Sequence, residues 1–378
     1  MATQIQPNFG RNASPYLYGD ELTALGQALD SGYFGHGHAT EQFEERVADF
    51  LGVQDAVAVS SGTAALHLAL LAADVRPDSE VIVPSLTFCA TVQAILAAGA
   101  RPRFVDVDPR TLCVTPQIIE DVVTPATAAV LPVLFGGRAI DLSPLQPLFS
   151  ERGIAVVEDA AHAFGSRRGA QWVGSTGDLT CFSFGPIKNL TCGQGGMVIP
   201  RNPHEAGRLR ALRSLGVPDT AELRAAATTY EVTSIGFRAQ MPTLNAAIGC
   251  AQLAHFAITQ NARTHLWRLY ADALKPVAGA ELVDVGVDHS VPHLAVVKVR
   301  ARDRVWRFMR EHGIGVGVHY PPNHMQPAFK AWHRSLPLTE QLGRQIMTLP
   351  FHQHLTDEDV WHVVGTLQQA LNRTGVHL

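Results

Sequence analysis

The chain has 378 residues, 46% of them hydrophobic and 17% charged, with 32 glycines and 23 prolines. That much apolar side chain fills a sizeable core and excludes extended disorder, and at ~150 residues per domain two domains are expected. Thirty Lys plus Arg against thirty-four Asp plus Glu leave a net charge of −4, which gives no electrostatic footprint for nucleic acid or an anionic membrane.

In chain order, Leu22, Leu25 and Leu29 recur at helical spacing after Asp20, with Gly32 as the stop. EQFEERVADFLG repeats that pattern through Phe43, Val47, Phe50 and Leu51. The period then changes. AVAV (56–59), VIV (81–83), RFVDV (103–107), AVLPV (129–133), IAVV (154–157) and TCFSF (180–184) are short runs rich in Val, Ile and Phe. Helical stretches of roughly ten to fifteen residues, such as TAALHLALLAA and ATVQAILAAGA, separate most of them. Continuous apolar strands alternating with helices predict βαβ crossovers and a mostly parallel sheet covered on both faces.

The second half reads as α+β. A long helical pattern covers residues 243–274; LAVVKVR reads as a strand, DRVWRFMREHG as a helix and GVGVHY as another strand. TEQLGRQIM and TDEDVWHVVGTLQQAL follow as amphipathic stretches, each opening with Thr and acids suited to a helix N-terminus. A boundary near residue 250 divides a large domain (1–250) from a smaller C-terminal one (251–378).

Cys89, Cys113, Cys181, Cys192 and Cys250 are odd in number, far apart and free of C-x-x-C pairs. Neither a disulfide framework nor a structural zinc site is expected, and the seventeen histidines show no metal-ligand spacing. MATQIQPNFGRN lacks the basic start and apolar run of a signal peptide, and the longest apolar stretch, AALHLALLAA, is too short to span a bilayer. A cytoplasmic globular protein is expected.

No P-loop is present, because no Gly-Lys pair occurs. GHGHAT (35–40) begins like a dinucleotide fingerprint, but it follows a helix-like segment and lacks the third glycine, so it reads as a turn. SSGTAAL (60–66) joins the strand AVAV to a helix and places backbone N–H groups at a helix N-terminus. That place favours a phosphate, or simply an N-cap by Ser61 or Thr63. VVEDAAHAFG (156–165) ends a strand in Glu158 and Asp159, at the edge where a parallel sheet forms its ligand crevice; a solvated turn or helix cap is the plainer alternative.

Only four lysines occur among the thirty basic residues. Lys275 ends a helical stretch, Lys298 alternates outward on a strand, and Lys330 has polar neighbours. Lys188 differs: it follows TCFSF and precedes GQGG (193–196), apolar and glycine-rich surroundings in which an amine loses basicity and serves Schiff-base chemistry. A phosphate seat, a carboxylate at a strand end and an isolated lysine together point to pyridoxal phosphate, with Asp159 keeping the ring nitrogen protonated.

From GDEL near residue 19 to LPFHQHLTDEDV near residue 360 the chain resembles the DegT/DnrJ/EryC1/StrS family of sugar aminotransferases, fold-type I pyridoxal phosphate enzymes. The resemblance is carried by FEERVADFLGV, VSSGTAALHLALLA, VIVPSLTFCATVQAILAAGARPRFVDVD, VEDAAHAFGS, CFSFGPIKNLTCGQGG and HYPPNHMQPAF. It implies that Lys188 binds the cofactor aldehyde, that Asp159 pairs with the pyridine nitrogen, and that His162 stands near the phenolic oxygen. Phe88 matches the aromatic stacked on the ring, Gly62, Thr63 and Ala64 the phosphate loop, and Ser183 a further phosphate ligand.

Three stretches depart from the family pattern. The G-[YF]-N-x-R-M segment, whose Asn reaches the phosphate from the neighbouring subunit, is GFRAQM, with Arg238 at the Asn position and Gln240 at the Arg position. G-E-G-G is GQGG, with Gln194 replacing the acid, and H-L-Y-G is LFGG, with Leu134 and Gly136 replacing His and Tyr. The resemblance implies a homodimeric aminotransferase with a shared site, moving an amino group from an amino acid, L-glutamate foremost, to a nucleotide-linked keto sugar in amino-sugar biosynthesis. His319 and Tyr320, in GVGVHYPP, are candidates for the substrate side, as is the YFGHG turn (33–37). Another pyridoxal phosphate reaction (lyase, dehydratase or cyclase) and a non-catalytic regulator on the same fold stay open. The family's sugar dehydratases carry His at the lysine position, so Lys188 argues against that branch.

Overall fold

The computed structural model describes residues 8–218 and 226–373; the first seven residues, part of the segment read above for a leader, lie outside them. A seven-stranded sheet forms from β1 (Val57–Val59), β2 (Glu80–Pro84), β3 (Arg101–Val105), β4 (Thr127–Val130), β5 (Ala155–Asp159), β8 (Leu179–Ser183) and β9 (Gly196–Ile199), in the order β1-β9-β8-β5-β4-β2-β3. A two-stranded hairpin, β6 (Arg167–Arg168) and β7 (Gln171–Trp172), interrupts the sequence between β5 and β8. From β3 through β8 the pairing is parallel, and β9 alone runs against its neighbours β8 and β1.

Both faces of this sheet are buried, which is why its strands read as unbroken apolar runs. Ile82, Val156 and Phe182 enter one core with Phe43, Val47 and Leu51 of the helix His38–Leu51. Their neighbours Val81, Val83, Val157, Leu179 and Cys181 enter another with Leu66, Leu70, Val92 and Ile95 of the helices Gly62–Ala72 and Cys89–Ala97. Each successive residue serves the opposite layer, as the two-residue strand period requires.

A third core gathers the C-terminal helices Phe256–Leu274, Arg302–Glu311 and Asp357–Arg373 against an antiparallel sheet of β10 (Ala280–Leu282), β11 (Ala295–Val299) and β12 (Ile346–Leu349). Phe256 packs on Phe164 in the first core, whereas Leu266, Trp267 and Tyr270 of the same helix lie in the third. The N-terminal segment also belongs to this end: Asn12 Nδ2 donates to the Thr348 and Leu349 carbonyls, each at 3.1 Å.

Three expectations are corrected. GVGVHY is not a strand; it makes one bridge, Gly317 to Thr348, and the third C-terminal strand is Ile346–Leu349. A Cβ at Gly315 would lie 2.6 Å from the backbone of Gly10 and Arg11, and one at Gly317 would lie 2.9 Å from Thr348 Oγ1. The alternating glycines therefore make room for the N-terminal segment and β12 and do not mark a pleat. The helical pattern over 243–274 is two helices, Thr243–Ala254 and Phe256–Leu274, joined at His255. The glycine run 193–196 ends in a strand that was not expected: Gly196 opens the antiparallel β9, Gly196–Ile199. No helix among the described residues is long and apolar enough to cross a membrane.

Candidate active site

The C-terminal ends of β1, β5 and β8 meet at one edge of the sheet, where parallel strands open a crevice. After β1 the chain turns into the helix Gly62–Ala72. Ser61 caps it, its Oγ accepting from Ala64 N at 3.1 Å, and the N–H groups of Gly62 and Thr63 have no intrahelical acceptor by position. A Cβ at Gly62 would meet Ser183 Cβ at 2.7 Å, and one at Gly196 would meet the Ser61 carbonyl oxygen at 2.4 Å. Glycine at both places lets this turn press against the ends of β8 and β9, beside the Ser183 hydroxyl.

Lys188 lies in the β8–β9 loop, which closes on itself through Phe184 N to Gly195 O (2.9 Å) and Cys192 N to Phe184 O (3.0 Å). Asn245 Nδ2 pins the loop from outside by donating to the Cys192 carbonyl at 2.8 Å. By surface area Lys188 is half-buried, yet it is ringed so closely by protein that desolvation pulls its pKa down to about 8; the Asp159 carboxylate opposes that fall. Ser183 Oγ, Gln194 Oε1 and Lys188 Cγ all lie within 4 Å of the Gly185 Cβ position, so all three side chains border Gly185.

Asp159 ends β5 and is 5% exposed. Its Oδ1 accepts from Ala161 N at 3.1 Å and its Oδ2 from the Thr91 hydroxyl at 2.7 Å. Burial pushes its pKa up, while the Thr91 and Ala161 hydrogen bonds and Lys188 push it back. His162 follows one turn on. Its Nδ1 accepts from Gly136 N (3.3 Å), so its Nε2 is the donor to Tyr320 OH (3.2 Å). Desolvation, with Lys188 nearby, holds His162 well below the usual histidine range, and the same causes take His319 down to about 4. Neutral imidazoles therefore line this wall. Tyr320 also faces Phe88, ring centroids 5.6 Å apart, and Phe88 itself is 55% exposed.

The structure thus brings Lys188, Asp159, His162, Ser183, Gly62, Thr63, Ala64, Phe88, His319 and Tyr320 to one crevice. Arg238 stands apart. It is exposed on a segment that runs beside β1, where Ser60 N donates to the Ala239 carbonyl at 2.7 Å. It lines a cleft of about 1650 Å³ with Tyr33, His36, Arg46 and Arg213, and neither Lys188 nor Asp159 lines that cleft. Two of the departures keep contact with the crevice through their backbone: Leu134 N donates to the Asp159 carbonyl at 2.9 Å, and Gly136 N to His162.

Several residues at the crevice escape sequence reasoning. Thr91 and Thr87 lie behind Asp159, and the His293 ring packs against His162 at a tilt of 34°, with ring centroids 4.3 Å apart. Asn189 accepts from His293 Nδ1 at 3.0 Å, so the residue after the lysine sets that second histidine. Arg263, buried, bonds the Pro292 and His293 carbonyls at 2.8 Å each. Adjacency to Lys188 is the one signal that could have marked Asn189.

These residues fit pyridoxal phosphate. The close approach at Gly62 leaves helix N–H groups and a hydroxyl for a phosphate, the Phe88 ring is exposed enough to stack on a planar group, and a buried carboxylate interacts electrostatically with a low-pKa amine. Fold and site define a pyridoxal phosphate enzyme.

The family model for DegT/DnrJ/EryC1/StrS aminotransferases matches residues 15–368, and the chain belongs to that family. The aminotransferase TlmJ from Streptoalloteichus hindustanus is 33% identical, with 97% of this chain and 100% of that one covered and a TM-score of 0.90. DesV of S. venezuelae is likewise 33% identical over 93% of this chain and 94% of its own, with a TM-score of 0.86. The sugar aminotransferase CalS13 from Micromonospora echinospora is 30% identical over 95% and 99%, with a TM-score of 0.88. The protein is a pyridoxal phosphate-dependent aminotransferase of the sugar aminotransferase family.

Proposed function

We propose that the protein transfers the amino group of L-glutamate to the ketone of a nucleotide-linked sugar, with Lys188 as the catalytic amine. The observation that carries this reading is the pairing of a lysine whose pKa falls to about 8 with a buried carboxylate held by two hydrogen bonds. When bound, the cofactor supplies an aldehyde and an electron-accepting ring, which carry the amino group from donor to acceptor.

Lys188 Nζ would hold the cofactor through its aldehyde and, when freed by the donor amine, would serve as the base and acid that moves the proton from the donor Cα. Its lowered pKa suits both roles near neutral pH. Asp159 would hold the ring nitrogen protonated, and Phe88 would stack on the ring. Gly62, Thr63 and Ser183 bind the phosphate, with Ala64, whose N–H serves the Ser61 cap, shaping the turn. His162, whose Nε2 proton goes to Tyr320 OH, would stand near the phenolic side, and Tyr320 and His319 would receive the substrate.

A homodimer completes this reading, with Arg238 of each chain reaching the other's site in place of the family's Asn. Exposed Tyr33 (50%), Phe34 (52%), Leu215 (44%) and Ile235 (86%) support a covering second chain. The two-domain division near residue 250 and a cytoplasmic location, supported by five separate thiols, belong to the same proposal.

The test is stoichiometric. L-Glutamate alone should bleach the cofactor's visible band and release one 2-oxoglutarate per site; a nucleotide-linked keto sugar added next should restore the band and leave as an amino sugar. Ammonia, carbon dioxide or an unsaturated product from one amino substrate would contradict transamination.

A further inference from the structure

The Thr91 bond that holds Asp159 is the first link of a chain of buried polar groups whose further members, Thr87 and Asn323, the reading above does not use. Thr91 Oγ1 donates to Asp159 Oδ2 at 2.7 Å, and Thr87 Oγ1 lies 2.8 Å from Thr91 Oγ1. An ionised carboxylate only accepts, so the single Thr91 proton goes to Asp159, and the bond between the threonines must run from Thr87 to Thr91. The hydroxyl chain therefore has one direction, and it ends on the carboxylate. Thr87 and Thr91 are each 1% exposed, so no water replaces either bond.

Behind Thr87 stands Asn323, 2% exposed, whose Nδ2 donates to the Thr87 carbonyl at 2.6 Å and the Ser85 carbonyl at 3.1 Å. Its own N–H donates to the same Ser85 carbonyl at 2.9 Å. Phe88 sits between the two threonines in sequence and precedes the helix Cys89–Ala97, while Asn323 follows Tyr320 by three residues. One network thus ties the carboxylate, the exposed ring and the tyrosine loop together.

We propose that Thr91, backed by Thr87, is a positioning residue that holds Asp159 ionised and in register with Phe88. This rests on the reading of Asp159 as the partner of the cofactor's ring nitrogen. Burial alone favours the neutral acid, and the Thr91 proton is the side-chain donor that favours the charged one.

The test compares Thr91→Val, Thr91→Ser, Thr87→Val and Asp159→Asn holoenzymes by their dissociation constant for pyridoxal phosphate and by the pH at which the visible band titrates. Thr91→Val should weaken cofactor binding roughly tenfold, the scale of one hydrogen bond to a charged group, and should move the band's titration. Thr91→Ser should restore both, and Thr87→Val should shift both by less. In an Asp159→Asn background Thr91→Val should add nothing, because its effect passes through the carboxylate. Thr91→Ala serves the same comparison if the valine protein does not fold. Unchanged binding and titration in Thr91→Val, or an equal loss in both backgrounds, would overturn the proposal while leaving Asp159 in its role. If Asp159→Asn itself changed neither readout, the reading of Asp159 would fall and this proposal with it.

Discussion

The crevice around Lys188 and the cleft around Arg238 are built from different materials. In the crevice Asp159, His162 and Asn189 are buried and fixed from within the chain: Asp159 by Thr91 and Ala161, His162 by Gly136 and Tyr320, Asn189 by Val291 and His293. The cleft is wide, and Arg238 and Tyr33 on its wall are exposed. Groups that must hold a set protonation state are enclosed, because a low dielectric strengthens every pairing they make. Groups proposed to meet a second chain stay open until that chain arrives. On the proposed reading one chain supplies the groups that act on the cofactor ring, and the phosphate- or substrate-facing half needs two.

Arg238→Ala is the sharpest way to break that contrast. An arginine reaching an anionic group across a dimer contact should contribute about 1.5–3 kcal/mol, seen as a weaker hold on pyridoxal phosphate or a raised substrate KM. Both constants unchanged in the alanine variant would leave the cleft without its proposed part. A double-headed result, with each constant shifted, would place the guanidinium between the two ligands.

A smaller effect sharpens the other half. With Lys188 pulled down to about 8, its amine is mostly protonated at pH 7 and mostly free above pH 9. Only the free amine attacks an aldehyde, so the rate at which apoprotein takes up pyridoxal phosphate should rise by up to about tenfold per pH unit below pH 8 and level off above it. Stopped-flow absorbance reads this directly. A rate still climbing steadily to pH 10 would mean that burial does not lower this lysine.

Much of the large sheet was legible because doubly buried strands leave continuous Val- and Ile-rich runs, as in VIV and IAVV, bounded by turns. Lys188 was legible because lysine is scarce in this chain and the one in apolar surroundings stood out. The small sheet was less so. GVGVHY imitates a strand because its glycines alternate, whereas β12 follows the helix Pro337–Gln345 directly, with no glycine or proline between them to mark the change of period. Thr87, Thr91 and Asn323 were illegible for a different reason. Their value lies in partners 68 residues away for Thr91 and 236 for Asn323, and a threonine in an apolar helix carries no local sign of such a bond.

The central claim is that Lys188 is the amine that binds the cofactor aldehyde. Borohydride reduction of the yellow holoenzyme, followed by peptide mapping, tests it most directly. The account predicts pyridoxyl label on the peptide containing Lys188 and no label in Lys188→Ala, which should still bind the cofactor through its phosphate and Asp159. Label on Lys275, Lys298 or Lys330, or labelling that survives in Lys188→Ala, would contradict it.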